Sequence, residues 1–206
     1  MRIKWRKLGG TALRKLVRCF CEDLTATQTV HLTGINRNTV NRYYGLFRER
    51  IAAYQEATNQ PFRGSIELDE SYFGGKGQGR RGRGTAKVPV FGILKRNGRV
   101  STQIIRNASP REISPLIRKF VRRGSTVYTN GWMAYDGLVL NGYRHYRINH
   151  DQAEFSRGTG QHINGIEPFW AFAKRRLTKF NGIRPDRFYL HLKECEFRYN
   201  ERGNLY

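Results

Sequence analysis

The sequence predicts an α/β protein: a mixed sheet flanked by helices, preceded by a small all-helical module. Three observations predict it. The first sixty residues carry helical periodicity and no proline before Pro61. From residue 64 the pattern switches to strand-like alternation, and beyond residue 110 strands and helices take turns. The chain has 206 residues, which suits one full domain plus an accessory module, divided here as 1–60 and 61–206. That length can bury a core without disulfides or a structural metal.

Each element has its own signal. Leu13, Leu16, Val17 and Phe20 recur at helical spacing and predict a helix near 11–23. A short helix from Thr25 is stopped by Gly34, and a second short one follows over Asn36–Tyr44. In that second helix Ile35, Val40, Tyr43 or Tyr44, and Phe47 can face inward, leaving Asn36, Arg37, Asn38, Asn41 and Arg42 outside. Two helices about a glycine, the second rich in Asn and Arg, match a helix-turn-helix. Asn and Arg supply the paired contacts that read adenine and guanine edges in the major groove. A plain helical hairpin with a solvated polar face has the same pattern.

Strands are expected over 65–73, 88–94 and 99–105, the last two joined by the hairpin signal Asn97-Gly98. A glycine and arginine segment, 74–84, connects the first two. A helix over 113–121, a strand over 126–130, a helix over 132–140 and a strand over 143–148 follow. After a loop to about residue 162 come helices over 166–180 and 187–199. This order is that of an RNase H-like domain.

Charge narrows the function. Lys and Arg number 38 against 16 Asp and Glu, a formal net charge of +22. Such a surface repels itself unless a polyanion offsets it, and nucleic acid is the default partner. No stretch has the length and apolarity of a membrane span. The first ten residues are basic but lack the apolar run of a signal peptide. Three cysteines, Cys19, Cys21 and Cys195, suit neither a disulfide framework nor a four-ligand zinc site. The expectation is a reduced, cytoplasmic, nucleic-acid-binding protein.

Acids are scarce, so each is informative. Asp69 and Glu70 lie in the first strand, where Glu67, Asp69 and Ser71 share one face. Either this is an edge strand with a wet face, or Asp69 is a metal ligand at the sheet centre. Magnesium takes hard carboxylate oxygens. Glu167 falls in the first turn of a helix, where any acid suits the dipole. Lys174, seven residues on, shares its face. A carboxylate and a basic residue so placed could hold a metal and steady a phosphate. Arg80, Arg81, Arg83 and Lys87 form a cationic segment suited to gripping phosphates, and Arg175 and Lys179 extend a second basic face. Trp170 fits a core position better than a base-stacking one, given Phe169, Phe172 and Leu177 around it.

Several segments together resemble the DDE-type transposases of bacterial insertion sequences, and more narrowly the ISXO-like group. They are Glu67-Leu-Asp-Glu-Ser-Tyr-Phe-Gly-Gly75, the Arg/Gly segment, Lys87–Leu94, Tyr128-Thr-Asn-Gly-Trp132, Asn149-His150, His162-Ile-Asn-Gly-Ile-Glu167, Ala173–Leu177, Lys179–Gly182 and Leu192–Arg198. The resemblance spans about residues 64–200, and the first sixty residues resemble the helix-turn-helix arm less distinctively.

The resemblance implies three acids on an RNase H-like sheet holding two Mg²⁺ or Mn²⁺ ions. One ion activates the attacking water or 3′-hydroxyl and the other stabilises the leaving oxygen. By position Asp69 matches the first acid, Glu167 the third, and Lys174 the basic residue after it. The second position departs: Asn130 stands where the family has Asp. A neutral amide oxygen can ligate a cation but gives up one site charge, so strand transfer is expected to be impaired. The resemblance further implies double-stranded DNA, both element ends and target, as partner, and a homodimer or higher oligomer on it. A bacterial, nucleoid-associated protein follows. The alternative is an inactive, transposase-derived DNA-binding protein or repressor.

Overall fold

The structure, a computed structural model, describes residues 8–74, 87–130, 135, 137–148 and 165–203. The five strands are β1 (Ser65–Phe73), β2 (Val88–Lys95), β3 (Val100–Ile104), β4 (Thr126–Asn130) and β5 (Arg144–Ile148). They form one sheet in the order β3-β2-β1-β4-β5. The β1–β2 and β2–β3 pairs are antiparallel, whereas β1–β4 and β4–β5 are parallel. The helices are α1 (Gly10–Cys21), α2 (Ala26–Thr33), α3 (Arg37–Thr58), α4 (Pro110–Phe120), α5 (Ile166–Thr178) and α6 (Pro185–Asn200). This is the RNase H-like mixed sheet, flanked by helices and preceded by helices, that the element order predicts.

Period-two alternation sorts the two faces. Ile66, Leu68, Phe91, Ile93 and Val127 pack with Ile113, Ile117 and Phe120 of α4. Phe73, Val90 and Leu94 pack on the other side with Ile166, Phe169 and Trp170 of α5 and Phe188 and Leu192 of α6. β1 is therefore the central strand, covered on both faces, and it is not the wet edge that its polar residues allowed. The β2–β3 turn forms as its sequence demands, with Asn97 at φ 56 and Gly98 N–H bonded to the Lys95 carbonyl.

The edge strand β3 is covered by polar groups of α6. The Val100 N–H donates to Asn200 Oδ1 at 2.8 Å, and Asn200 Nδ2 donates back to the Val100 carbonyl at 2.9 Å. Glu196 accepts from both the N–H and the hydroxyl of Thr102, and Lys193 Nζ donates to the Thr102 carbonyl. An open strand edge is a template for unwanted pairing, and here side chains satisfy it.

Two helices differ from expectation. α3 runs for 22 residues rather than ending near Tyr44. Its second half docks on α6, with Gln55 Nε2 donating to the Lys193 carbonyl and Tyr189 bonded to Glu56. Of the helix expected over 132–140, residues 132–134 and 136 lie outside the described residues, and its described end is a 3-10 turn at Val139–Asn141. Gly142, at φ 82, ends that turn.

The N-terminal helices have their own core of Leu16, Phe20, Val40, Tyr43 and Tyr44. Thr25 and Gln28 close a capping box at the start of α2, and Gly34 at φ 69 ends it. A buried ion network joins this unit to the sheet. Glu194 of α6 binds Arg48 of α3 at 2.7 Å and Arg198 at 2.9 Å, and also pairs with Arg176 of α5. Arg176 and Lys179 bind Asp23, in the turn after α1. Among the described residues no helix is long and apolar enough to cross a membrane. Cys19 and Cys195 are buried free thiols, and Cys21 is half-buried.

Candidate active site

Glu67, Asp69 and Ser71 point from β1 toward α5, and Glu67 is only 2% exposed. Its carboxylate is fully occupied. Oε2 accepts from the backbone N–H groups of Gly165 (3.0 Å) and Ile166 (3.1 Å), at the start of α5. Oε1 accepts from Arg96 Nε at 2.8 Å, and the Arg96 guanidinium lies 3.7 Å from the centroid of the Tyr128 ring. Gly165, the residue before the helix, has no side chain to cap it. Glu67 supplies the missing acceptor from across the fold, and its charge meets the positive end of the helix dipole.

Two residues along, Asp69 Oδ2 accepts from Trp170 Nε1 at 3.0 Å. The indole lies close enough to the sheet to demand space from β2. Gly92, the partner of Asp69 in register, provides it: a Cβ there would stand 2.4 Å from Trp170 Cζ2 and 2.8 Å from Ile166 Cδ1. Thus β1 grips α5 twice, through Glu67 at its first amides and through Asp69 one turn later. Glu167 lies between these two points in the first turn, three residues before Trp170, and is exposed.

Gly92→Ala tests this packing. The added methyl meets the indole well inside contact distance, so stability falls by about 1–3 kcal/mol and the Trp170 indole N–H exchanges faster as its bond to Asp69 opens. Urea denaturation and hydrogen exchange read the two effects; an unchanged denaturation midpoint would contradict the packing described.

Position 130 closes β4. The β1–β4 pairing runs to Leu68–Thr129, so Asn130 follows Thr129 as Asp69 follows Leu68, and the two backbone positions are neighbours across parallel strands. Lys174 is exposed, with Nζ 5.9 Å from the centroid of Phe73, which lies on the Asp69 face of β1. Glu70 points the other way and accepts from the hydroxyl of buried Tyr135. Burial raises the Tyr135 phenol well above its usual range, and the Glu70 charge adds to this.

The remaining candidates fall elsewhere. Asn36 caps α3 by accepting from the Asn38 N–H at 2.9 Å, and Arg37, Asn38, Asn41 and Arg42 are exposed on the first turns of that helix. Arg175 is exposed on α5 and Lys87 is partly so before β2. Lys179 is turned inward, donating to the Asp23 carbonyl at 2.6 Å. Burial lowers its ammonium below the usual range, an effect its bond to Asp23 opposes. Arg80, Arg81 and Arg83 lie outside the described residues, as do His150 and His162. The sequence does not reveal the roles of Glu67 and Gly92, and Trp170, expected in the core rather than on a base, lies in the core and also holds Asp69. An acid two residues before Asp69 on the same face was the available signal for Glu67.

Residues 61–200 match the ISXO2-like transposase domain. The chain belongs to that transposase family. An uncharacterized transposase-like protein of Haemophilus influenzae is 43% identical over 102 residues, covering 50% of this chain and 81% of that protein. An uncharacterized protein in transposable element ISH50 of Halobacterium salinarum is 29% identical over 177 residues, 75% of this chain, and the chain spans 60% of its length. Among solved structures, a Mos1 transposase paired-end complex with left transposon end aligns over 98% of this chain and 80% of that one, at 10% identity. Its TM-score of 0.28 is too low to bear on the fold or the function.

The donor set of this ISXO2-like transposase can be tested against a metal. Among the described residues no cluster of three or more His, Cys, Asp or Glu is placed to hold an ion. Mg²⁺, however, takes only one or two carboxylates from a protein and completes its shell with water and phosphate oxygens. Asp69 on β1 and Glu167 in the first turn of α5 are hard oxygen donors of that kind, carried on two elements that the Trp170–Asp69 bond joins.

Proposed function

We propose that this chain is an insertion-sequence transposase whose helix-turn-helix, α2 and α3, reads the terminal inverted repeats. The sheet domain cleaves the DNA ends and transfers them to target DNA. The observation that carries this is the double attachment of α5 to β1, which joins the strand of Asp69 to the helix of Glu167. Asp69 and Glu167 would hold the divalent ions, Mg²⁺ or Mn²⁺. When bound, such ions activate an attacking hydroxyl and stabilise the leaving oxygen of an in-line displacement.

The chain's own residues do the rest. Trp170 fixes the rotamer of Asp69 through its indole N–H. Glu67 fixes the helix that carries Glu167. Lys174, seven residues on from Glu167, steadies a phosphate, and the cationic segment with Lys87 grips the strand. Arg37, Asn38, Asn41 and Arg42 contact base edges and backbone of the duplex. Asn36 caps that helix, so its share of DNA contact comes through the backbone it orders. Pairing of two ends implies at least a dimer on DNA.

Asn130 favours a second reading, a DNA-binding protein derived from a transposase and impaired in strand transfer. A neutral amide at the second acidic position removes one of three charges that attract the ions. The Asn130→Asp variant restores it. The change is expected to raise Mg²⁺-dependent end cleavage by at least the ~10–100-fold typical of residues that only support metal ligands. The test incubates parent and variant with DNA carrying the element's ends and Mg²⁺ or Mn²⁺. End cleavage by the Asn130→Asp variant supports a transposase site; a mobility shift with no cutting by either protein supports the binding protein, and random nicking supports a nuclease.

A further inference from the structure

The exposed Asn and Arg side chains of α3 do not face open solvent alone. Arg37 and Arg42 line a cavity of about 1130 Å³ that is also lined by Lys179 and Arg184 of the α5–α6 connection and by Arg187 in the first turn of α6. Thr25 and Thr27, at the start of α2, line the same trench. In a helix-turn-helix the second helix enters the groove while the first crosses the backbone, so both DNA-facing parts of the unit open onto this one space. Any duplex seated on α3 must share it with the α5–α6 connection.

We propose that the trench holds one phosphodiester backbone of the duplex that α3 reads, and that Arg184 and Arg187 are phosphate contacts supplied by the sheet domain. This rests on the reading of α3 as a DNA-reading helix. Charge favours a polyanion. Arg184 is 80% exposed and Arg187 54% exposed, and neither is locked in a buried pair. Asp186 and Glu49 are the acids beside them: Arg184 meets Asp186 at 3.0 Å, and Arg187 meets Glu49 at 3.9 Å and Asp186 at 3.6 Å. Exposed pairs of this kind contribute little and exchange readily for phosphate. Lys179 and Arg48, at the floor, are held by Asp23 and Glu194 and set a positive background. The consequence is that one DNA strand is gripped by both units of a single chain, which fixes the duplex relative to the sheet.

The salt dependence of binding tests the proposal, with a short fluorescein-labelled duplex as probe and anisotropy as readout. Removing one phosphate-binding side chain lowers the slope of log K against log salt by about 0.9. The double variant Arg184→Ala/Arg187→Ala is expected to lower it by about 1.8, and Arg37→Ala/Arg42→Ala to weaken binding too. Arg111→Ala/Lys119→Ala, on the far side of the sheet in α4, should leave the slope unchanged. If the Arg37/Arg42 variant weakens binding but the Arg184/Arg187 variant keeps the full slope, the trench proposal is overturned and α3 still reads DNA. If the Arg37/Arg42 variant binds as the parent does, the reading of α3 itself fails. Equal loss in the α4 control would mean that overall charge alone is sensed, which also overturns the trench. The side chains replaced are exposed, and unfolding monitored by circular dichroism verifies that each variant is folded.

Discussion

Replacing Glu194 by alanine lowers stability by about 3–5 kcal/mol, the scale of removing one partner from a buried ion network. Glu194 is 1% exposed and stands at the meeting point of three arginines, Arg48, Arg176 and Arg198. Burial pushes its carboxyl upward, yet Arg176, Arg48 and Arg198 prevail and hold it at about 2, so it is charged throughout the neutral range. Removing it strands positive charge in the interior. Arg176 keeps Asp23, and Arg198 keeps the carbonyls of Phe20 and Cys21, but Arg48 loses its carboxylate partner. Those three arginines come from α3, α5 and α6, so the loss also loosens the N-terminal helices from the sheet domain. Urea denaturation measures the first effect and limited proteolysis between residues 58 and 65 the second. A drop under about 1 kcal/mol would place Glu194 with ordinary exposed ion pairs and contradict its role.

Replacing Glu67 by alanine costs about 2–3 kcal/mol, the scale of losing charge-assisted hydrogen bonds from a buried acceptor. Two amides at the start of α5 lose the carboxylate oxygen that accepts from them, and Arg96 loses the same carboxylate. Arg96 is 22% exposed and can turn to water, which keeps the loss below that at Glu194. The Ile166 amide cannot, because that residue is buried. The first turn of α5 therefore frays, and with it the position of Glu167. Hydrogen exchange at Ile166 should quicken more than at Leu177, near the far end of the same helix. Uniform quickening along α5 would instead mean that Glu67 contributes to global stability alone.

The strands β1 to β3 are legible in the sequence because alternation, the Asn97-Gly98 turn and β-branched composition all agree locally. The helices α1, α4 and α5 are legible from one-sided apolar spacing. Asp69 and Glu167 stand out because acids are rare in so basic a chain. What local pattern does not give is partnership across the fold. Glu67 reads as the solvated face of an edge strand, because its partners Gly165 and Ile166 come some hundred residues later. The charges of α6 carry no local sign of burial, although Lys193, Glu194, Glu196 and Arg198 are all buried. The second half of α3 is rich in helix formers, so its own sequence supports it as well as its docking on α6.

The proposed function requires that Asp69 and Glu167 form one divalent-cation site and that Asn130 weakens it. Titration of the intact protein with Mn²⁺, followed by the loss of the free-ion electron paramagnetic resonance signal, tests this most directly. Asp69→Asn and Glu167→Gln should each weaken binding by at least about tenfold, and Asn130→Asp should tighten it. Mn²⁺ affinity unchanged by Asp69→Asn, in a protein that remains folded, would rule out this cation site.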